Sequence, residues 1–281
     1  MISLKTLKRL LAVVSSLLYS LGVFAFNQEE VYVPSESMSK SVPVTIITPD
    51  SYSDGYNMPV IYLLHGFGDN HMKWSVGGHV GKLADFFQVI VVMPDGGYSS
   101  WYFDSPVMPE YKYETFIAKE LVSYVDSHYK TLADRGQRAI TGNSMGGHGA
   151  MYLAFRHQDV FGNAGSLSGG VDIRPFSDKW QISSRLGPID TCVQNWEENT
   201  VVNMTHLLSP GSLNIVFDCG TEDFFYDVNL TFHIKLLEGK IPHDFYSRPG
   251  KHCWDYWFNS IRYHFLFFFD KFQDMRKSGS N

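Results

Sequence analysis

Three short stretches carry residue types that could perform covalent chemistry together. GNSMGG sets Ser144 between Gly142 and Gly146, GTED offers Glu222 and Asp223, and KHCWDYW offers His252. A serine hydroxyl is a weak nucleophile until a base takes its proton, and a histidine base needs an acid to hold its tautomer. An α/β sheet can gather such a set at one edge in the chain order Ser, acid, His. The pattern G-x-S-x-G proves little alone. With 24 Gly in 281 residues, it arises by chance in about one such chain in seven.

The flanking elements decide. RAITGNS (138–144) reads as a strand running into the motif, and MGGHGAMYLAFRH (145–157) as a helix leaving it. A strand-to-helix turn this tight strains the central residue and leaves its side chain at the carboxyl edge of the sheet. Glycine at 142 and 146 lets neighbouring backbone pass close by. The serine then sits at a helix N-terminus, which favours developing negative charge, with the Met145 N–H as one oxyanion donor. LNIVFDCG (213–220) and HDFYSRPG (243–250) read as strands, so the acid and histidine loops follow strands of the same sheet. His243 begins its strand and falls at the opposite edge, while His233 and His264 lie inside helices. His252 is therefore the expected base and Asp223 the expected acid. Glu222 is the alternative acid, and Asp218, still within its strand, reads as structural. A second oxyanion donor should come from a loop after an early strand. YLLHGFGDN (62–70) supplies the Phe67 N–H there, and His65 reads as a brace for that loop.

Further strands are expected over 43–50, 59–66, 88–96 and 162–170, and helices over 113–129, 225–240 and 254–272. Alternating strands and helices predict an α/β fold: a mainly parallel central sheet covered on both faces, as one domain spanning 26–281. The segment 169–212 interrupts the alternation. It holds Trp180 and Trp196 and a short helix around 195–208, and is expected to cap the mouth of the site. Residues 1–25 have the pattern of a signal peptide: Lys5, Lys8 and Arg9, then LLAVVSSLLYSLGVF, then small residues ending at Ala25. Cleavage after Ala25 predicts an exported, periplasmic or secreted protein, without stable membrane insertion. A net charge of -6 argues against a nucleic-acid partner. The three cysteines, Cys192, Cys219 and Cys253, form no metal-binding spacing. Whether Cys219 and Cys253 bridge depends on a separation below about 7 Å that sequence does not contain.

Taken together, LLHGFGDN, GNSMGGHGA, GTED and HCWDYW resemble the esterase family that takes in S-formylglutathione hydrolases, feruloyl and acetylxylan esterases, and mycolyltransferases. The resemblance runs over about residues 40–272. It implies the α/β-hydrolase fold, a triad of Ser144, Asp223 and His252, and oxyanion donors at Phe67 and Met145. PDGGYSSWYFDSP (94–106) resembles a family segment whose aromatics border the acyl or alcohol site, making Trp101, Tyr102 and also Trp74 candidates for substrate contact. HCWDYW is similar to the histidine loop of the mycolyltransferases, but Asp223 stands where those enzymes place Glu, which favours the esterase branch. The expected activity is hydrolysis of carboxylic esters through an acyl-enzyme, with no metal or organic cofactor. Expected substrates are acetyl or feruloyl esters of carbohydrates, or other short-chain esters. Transfer of the acyl group to an alcohol is the alternative chemistry. A non-catalytic binding protein on the same scaffold is the alternative of another class.

Overall fold

Val60–Leu64 (VIYLL) and Ile90–Pro94 (IVVMP) carry no charged side chain, and every residue in both strands is buried. Strands of that kind need cover on both faces, which only the centre of a helix-flanked sheet provides. The computed structural model describes residues 26–278, so the leader read over residues 1–25 lies outside the described residues. Eight strands form one sheet: β1 (Phe26–Ser35), β2 (Lys40–Pro49), β3 (Val60–Leu64), β4 (Ile90–Pro94), β5 (Arg138–Gly142), β6 (Asn163–Leu167), β7 (Asn214–Gly220) and β8 (Asp244–Arg248). Their order is β1-β2-β4-β3-β5-β6-β7-β8. The pairings β1–β2 and β2–β4 are antiparallel; from β4 to β8 the strands run parallel.

Side-chain alternation splits the core in two. Val60, Tyr62 and Leu64 point to one face with Val92, Ile140 and Phe217. There they meet a helix over 113–128, with a π-helical stretch at Phe116–Leu121, and the helices Met145–Arg156 and Tyr226–Glu238. Ile61 and Leu63 point to the other face with Val91 and Val216. That face is covered by His79–Phe87 and by Trp254–Ser278, whose Trp257, Ile261, Phe265, Phe268 and Phe272 recur at helical spacing.

Two elements escaped the sequence reading. β1 was not expected, because FNQEE is polar and mostly exposed; it is an edge strand paired to β2 over its ten residues. The helix His79–Phe87 is short and follows a kinked glycine-rich turn. The 169–212 segment is built from short pieces: Arg174–Phe176, Ile182–Leu186, Val193–Glu198 and the 3-10 turn Val201–Leu207. Trp196 anchors it from inside, buried and donating its indole N–H to the Gly187 carbonyl at 3.0 Å. The helix expected around 195–208 is thus two shorter elements. No helix among the described residues is long and apolar enough to cross a membrane.

Candidate active site

Ser144 lies between β5 and the helix Met145–Arg156 with φ 57° and ψ -116°. A non-glycine residue held there stores strain, and it persists because both neighbours are pinned. A Cβ on Gly142 would sit 2.5 Å from the Leu64 carbonyl oxygen, and one on Gly146 would sit 2.4 Å from the same atom. Only hydrogen fits at either position. The Ser144 N–H donates to Leu167 O at 2.9 Å, fixing the turn to β6.

The acid and the histidine reach this turn from the next two strands. β7 ends at Gly220 and Asp223 follows; β8 ends at Arg248 and His252 follows. Backbone bonds lock the two loops together: Thr221 N–H to Arg248 O at 2.9 Å and Glu222 N–H to Gly250 O at 2.9 Å. His252 Nε2 lies 2.9 Å from Ser144 Oγ, and its Nδ1 lies 2.8 Å and 3.0 Å from the two Asp223 oxygens. The Asp223 carboxylate is fully buried and also accepts the Phe225 N–H at 2.8 Å. Phe224 and Trp257 hold the imidazole from two sides, with ring centroids at 4.2 and 4.8 Å. Such a chain lets Nδ1–H donate to carboxylate while Nε2 presents a lone pair to the hydroxyl. Glu222 points elsewhere and meets Lys251 at the surface, 3.7 Å away. Asp218 is fully buried, which pushes its carboxyl up to about 7 even though it pairs with Arg248.

The loop after β3 closes the other side of the serine. A Cβ on Gly66 would sit 3.4 Å from Ser144 Cβ. Neither the Phe67 nor the Met145 N–H has an acceptor among the described residues. His65 does not face the serine. Its Nε2 accepts the Gly96 N–H at 2.8 Å and its Nδ1–H donates to Gly66 O at 2.8 Å, a neutral tautomer that burial favours by lowering the imidazole pKa. It braces the loop, as expected.

The aromatic candidates need correction. Trp74, Trp101 and Tyr102 are each no more than 1% exposed and do not line the cleft beside Ser144. Trp74 donates its indole N–H to Leu64 O at 3.1 Å, and Tyr102 donates its hydroxyl to His65 O at 3.0 Å, so both support the Gly66–Phe67 loop from behind. Trp101 donates to Trp180 O at 3.1 Å and anchors the 169–212 segment. His148 does the same from the helix Met145–Arg156, with Nε2–H donating to Asn199 O at 3.0 Å; burial lowers its pKa to about 4. The cleft itself has a volume of about 490 Å³ and contains Ser144 and His252. Its aromatic walls are Phe67, Trp180, Phe224, Trp254 and Trp257. Phe224 directly follows Asp223, and Trp254 lies two residues past His252, so adjacency to the motifs was the available signal. Asp69 and Asn143 also line it and were missed. Cys192, Cys219 and Cys253 are all free, so no bridge ties the acid and histidine loops.

A mostly parallel sheet with a strained serine on the β5 elbow, facing loops from β7 and β8, is the architecture of an α/β-hydrolase. The family model described as Putative esterase matches residues 35–268, and the chain belongs to that family. An acetyl esterase of Caldicellulosiruptor saccharolyticus is 26% identical over 216 residues, covering 73% of this chain and 80% of the relative. A diacylglycerol acyltransferase/mycolyltransferase of Mycobacterium leprae is 27% identical over 270 residues, covering 82% and 79%. Among solved structures, a ferulic acid esterase superposes with TM-score 0.77 at 28% identity, over 89% of this chain and 99% of that one. The esterases of Mycobacterium tuberculosis that it matches are longer: at 34% identity over 135 residues, the match spans 47% of this chain but 30% of theirs.

Proposed function

We propose that this protein is an exported serine esterase that cleaves carboxylic esters through an acyl-enzyme. Ser144 Oγ attacks the carbonyl as His252 Nε2 takes its proton, and Asp223 holds the imidazole and stabilises its charged form. The Phe67 and Met145 N–H groups receive the oxyanion. His252 then protonates the leaving alcohol and activates the water that frees the acid. The observation that carries this reading is the continuous chain Ser144–His252–Asp223, with links of 2.9 and 2.8 Å.

Carbohydrate esters of small or aromatic acids fit the aromatic-walled cleft, because ring faces pack against the apolar faces of sugars and of feruloyl groups. The 169–212 segment contributes Trp180 to that wall, which supports its reading as a cap. Export rests on the leader sequence of residues 1–25. The mycolyltransferase relative supports a second outcome for the same acyl-enzyme, transfer to an alcohol. Product partition with and without an added alcohol acceptor separates the two.

The test is turnover of p-nitrophenyl acetate by the wild type and Ser144→Ala. The variant should lose several orders of magnitude in kcat, keeping at most the roughly 10³–10⁴ over water that binding and the oxyanion donors supply. Equal turnover by the two proteins would end the assignment of Ser144. A wild type inert to a panel of acetylated xylan, methyl ferulate and p-nitrophenyl esters would favour the binding-protein alternative.

A further inference from the structure

The cleft has one fixed charge. Among the described residues lining it, Asp69 is the only carboxylate, and no lysine or arginine lines it. Asp69 follows Phe67 by two residues, and its N–H donates to Gly66 O at 3.2 Å, so its backbone belongs to the same tight loop. Its side chain is half-buried, and that burial raises its carboxyl pKa above the ordinary value, an effect Lys73 partly offsets. Lys73 is the cation that acts on it, yet the ammonium is parked over the Trp254 ring at 5.3 Å. The nearby Lys251 and Glu222 offset each other at 3.7 Å. The unpaired polar atoms in the same wall are neutral: both amide atoms of Asn143 and the indole nitrogen of Trp257 are buried without a hydrogen-bond partner. A buried amide and N–H left open can serve hydroxyl groups, and Lys73, held over the Trp254 ring, already acts on Asp69.

We propose that Asp69 sets the charge specificity of the cleft: it repels esters carrying an acidic group and favours neutral, hydroxyl-rich or cationic ones. This rests on the esterase reading and narrows it, because acyl decorations on neutral sugars pass while those on acidic sugars, or esters of dicarboxylic acids, are rejected. For an assumed separation of about 7 Å between carboxylate and substrate charge, at an effective dielectric between protein surface and water, the relative rate changes by about three- to tenfold.

Three aryl acetates of one shape provide the test: phenyl acetate, 4-acetoxybenzoate and 4-acetoxyphenyl-trimethylammonium. Leaving-group differences cancel when each ester's kcat/KM is compared between wild type and Asp69→Asn at low ionic strength. The variant should raise the anionic-to-neutral ratio about three- to tenfold and lower the cationic-to-neutral ratio by a similar factor. In about 1 M salt, where screening acts over roughly 3 Å, the wild type should shift in the same direction without any mutation. That second arm stands even if the variant folds poorly. Ratios unmoved by both the substitution and salt would overturn the charge filter while leaving the esterase intact. Failure of the wild type to hydrolyse any of the three would overturn the esterase reading, and the filter with it.

Discussion

Gly146→Ala adds a single methyl group two residues from the proposed nucleophile, and its cost can be worked from the neighbours. The new Cβ would lie 2.4 Å from the Leu64 oxygen and 2.7 Å from both the Leu64 carbon and the His65 oxygen, all backbone atoms. Reaching an ordinary separation of about 3.0–3.4 Å requires a displacement of about 0.6–1.0 Å. Leu64 cannot supply it. It pairs with Gly142 in the middle of the sheet, and its carbonyl already accepts the Trp74 indole and the Asn143 N–H. The helix Met145–Arg156 must therefore back away, taking Ser144 with it and widening the gap to the Phe67 N–H. A misplacement of about 1 Å costs on the order of 10²-fold in rate, and the overpacking costs about 1–3 kcal/mol of stability.

The assay is kcat/KM on p-nitrophenyl acetate beside a thermal melt, with a fluorophosphonate titration to count serines still able to react. A folded protein that labels slowly and turns over about 10²-fold more slowly fits the reasoning. Gly211→Ala is the matched control. Its φ of +80° makes an alanine strained, but nothing lies within 4 Å of the added atom, so it should lose stability and keep full activity. If Gly146→Ala kept its kcat/KM within threefold of wild type and melted at the same temperature, the close packing of β3 on the elbow would not be what positions Ser144.

Two further perturbations probe the site and its support. Asp223→Asn keeps an acceptor for the Phe225 N–H but turns an amide N–H toward His252 Nδ1, forcing the proton onto Nε2, where it faces Ser144; kcat should fall about 10⁴-fold with the fold retained, and a loss under tenfold would remove Asp223 from the mechanism. His148, whose pKa burial lowers from 6.5 to about 4, binds a proton more readily unfolded than folded, so its contribution to stability is intact above pH 6.5 and is lost as pH falls toward 4. Between pH 7 and 5 this amounts to about 2 kcal/mol, and denaturant melts of His148→Gln should show a pH dependence shallower by that amount; parallel curves for the two proteins would refute the buried neutral state.

What the sequence discloses and what it hides divide along a physical line. Ser144, Asp223 and His252 each follow the end of a strand by two to four residues. A strand pattern plus a short offset therefore locates them at one sheet edge, and a local rule suffices. The glycines at 142 and 146 are legible for the same reason, since steric exclusion by a tight turn is a local matter. Of the cleft-lining aromatics, Phe67, Phe224, Trp254 and Trp257 lie in or beside the motifs, but Trp180 obeys no such rule, and neither does the exclusion of the expected candidates. Trp101 and Tyr102 sit in backbone with φ of 53° and 63°, and both side chains are buried away from the cleft they were expected to border. Nothing in WYFDSP announces that turn. The walls that do surround the serine come from the β3 loop, the 169–212 segment, the acid loop and the start of the last helix, gathered by the order β3-β5-β6-β7-β8. Chemistry confined to strand ends can thus persist while the four separate segments that shape the cleft vary independently, and fold alone leaves the substrate open. Selectivity here should be altered by substitutions in those segments, Asp69 and Trp180 first among them, at little cost to the proposed triad.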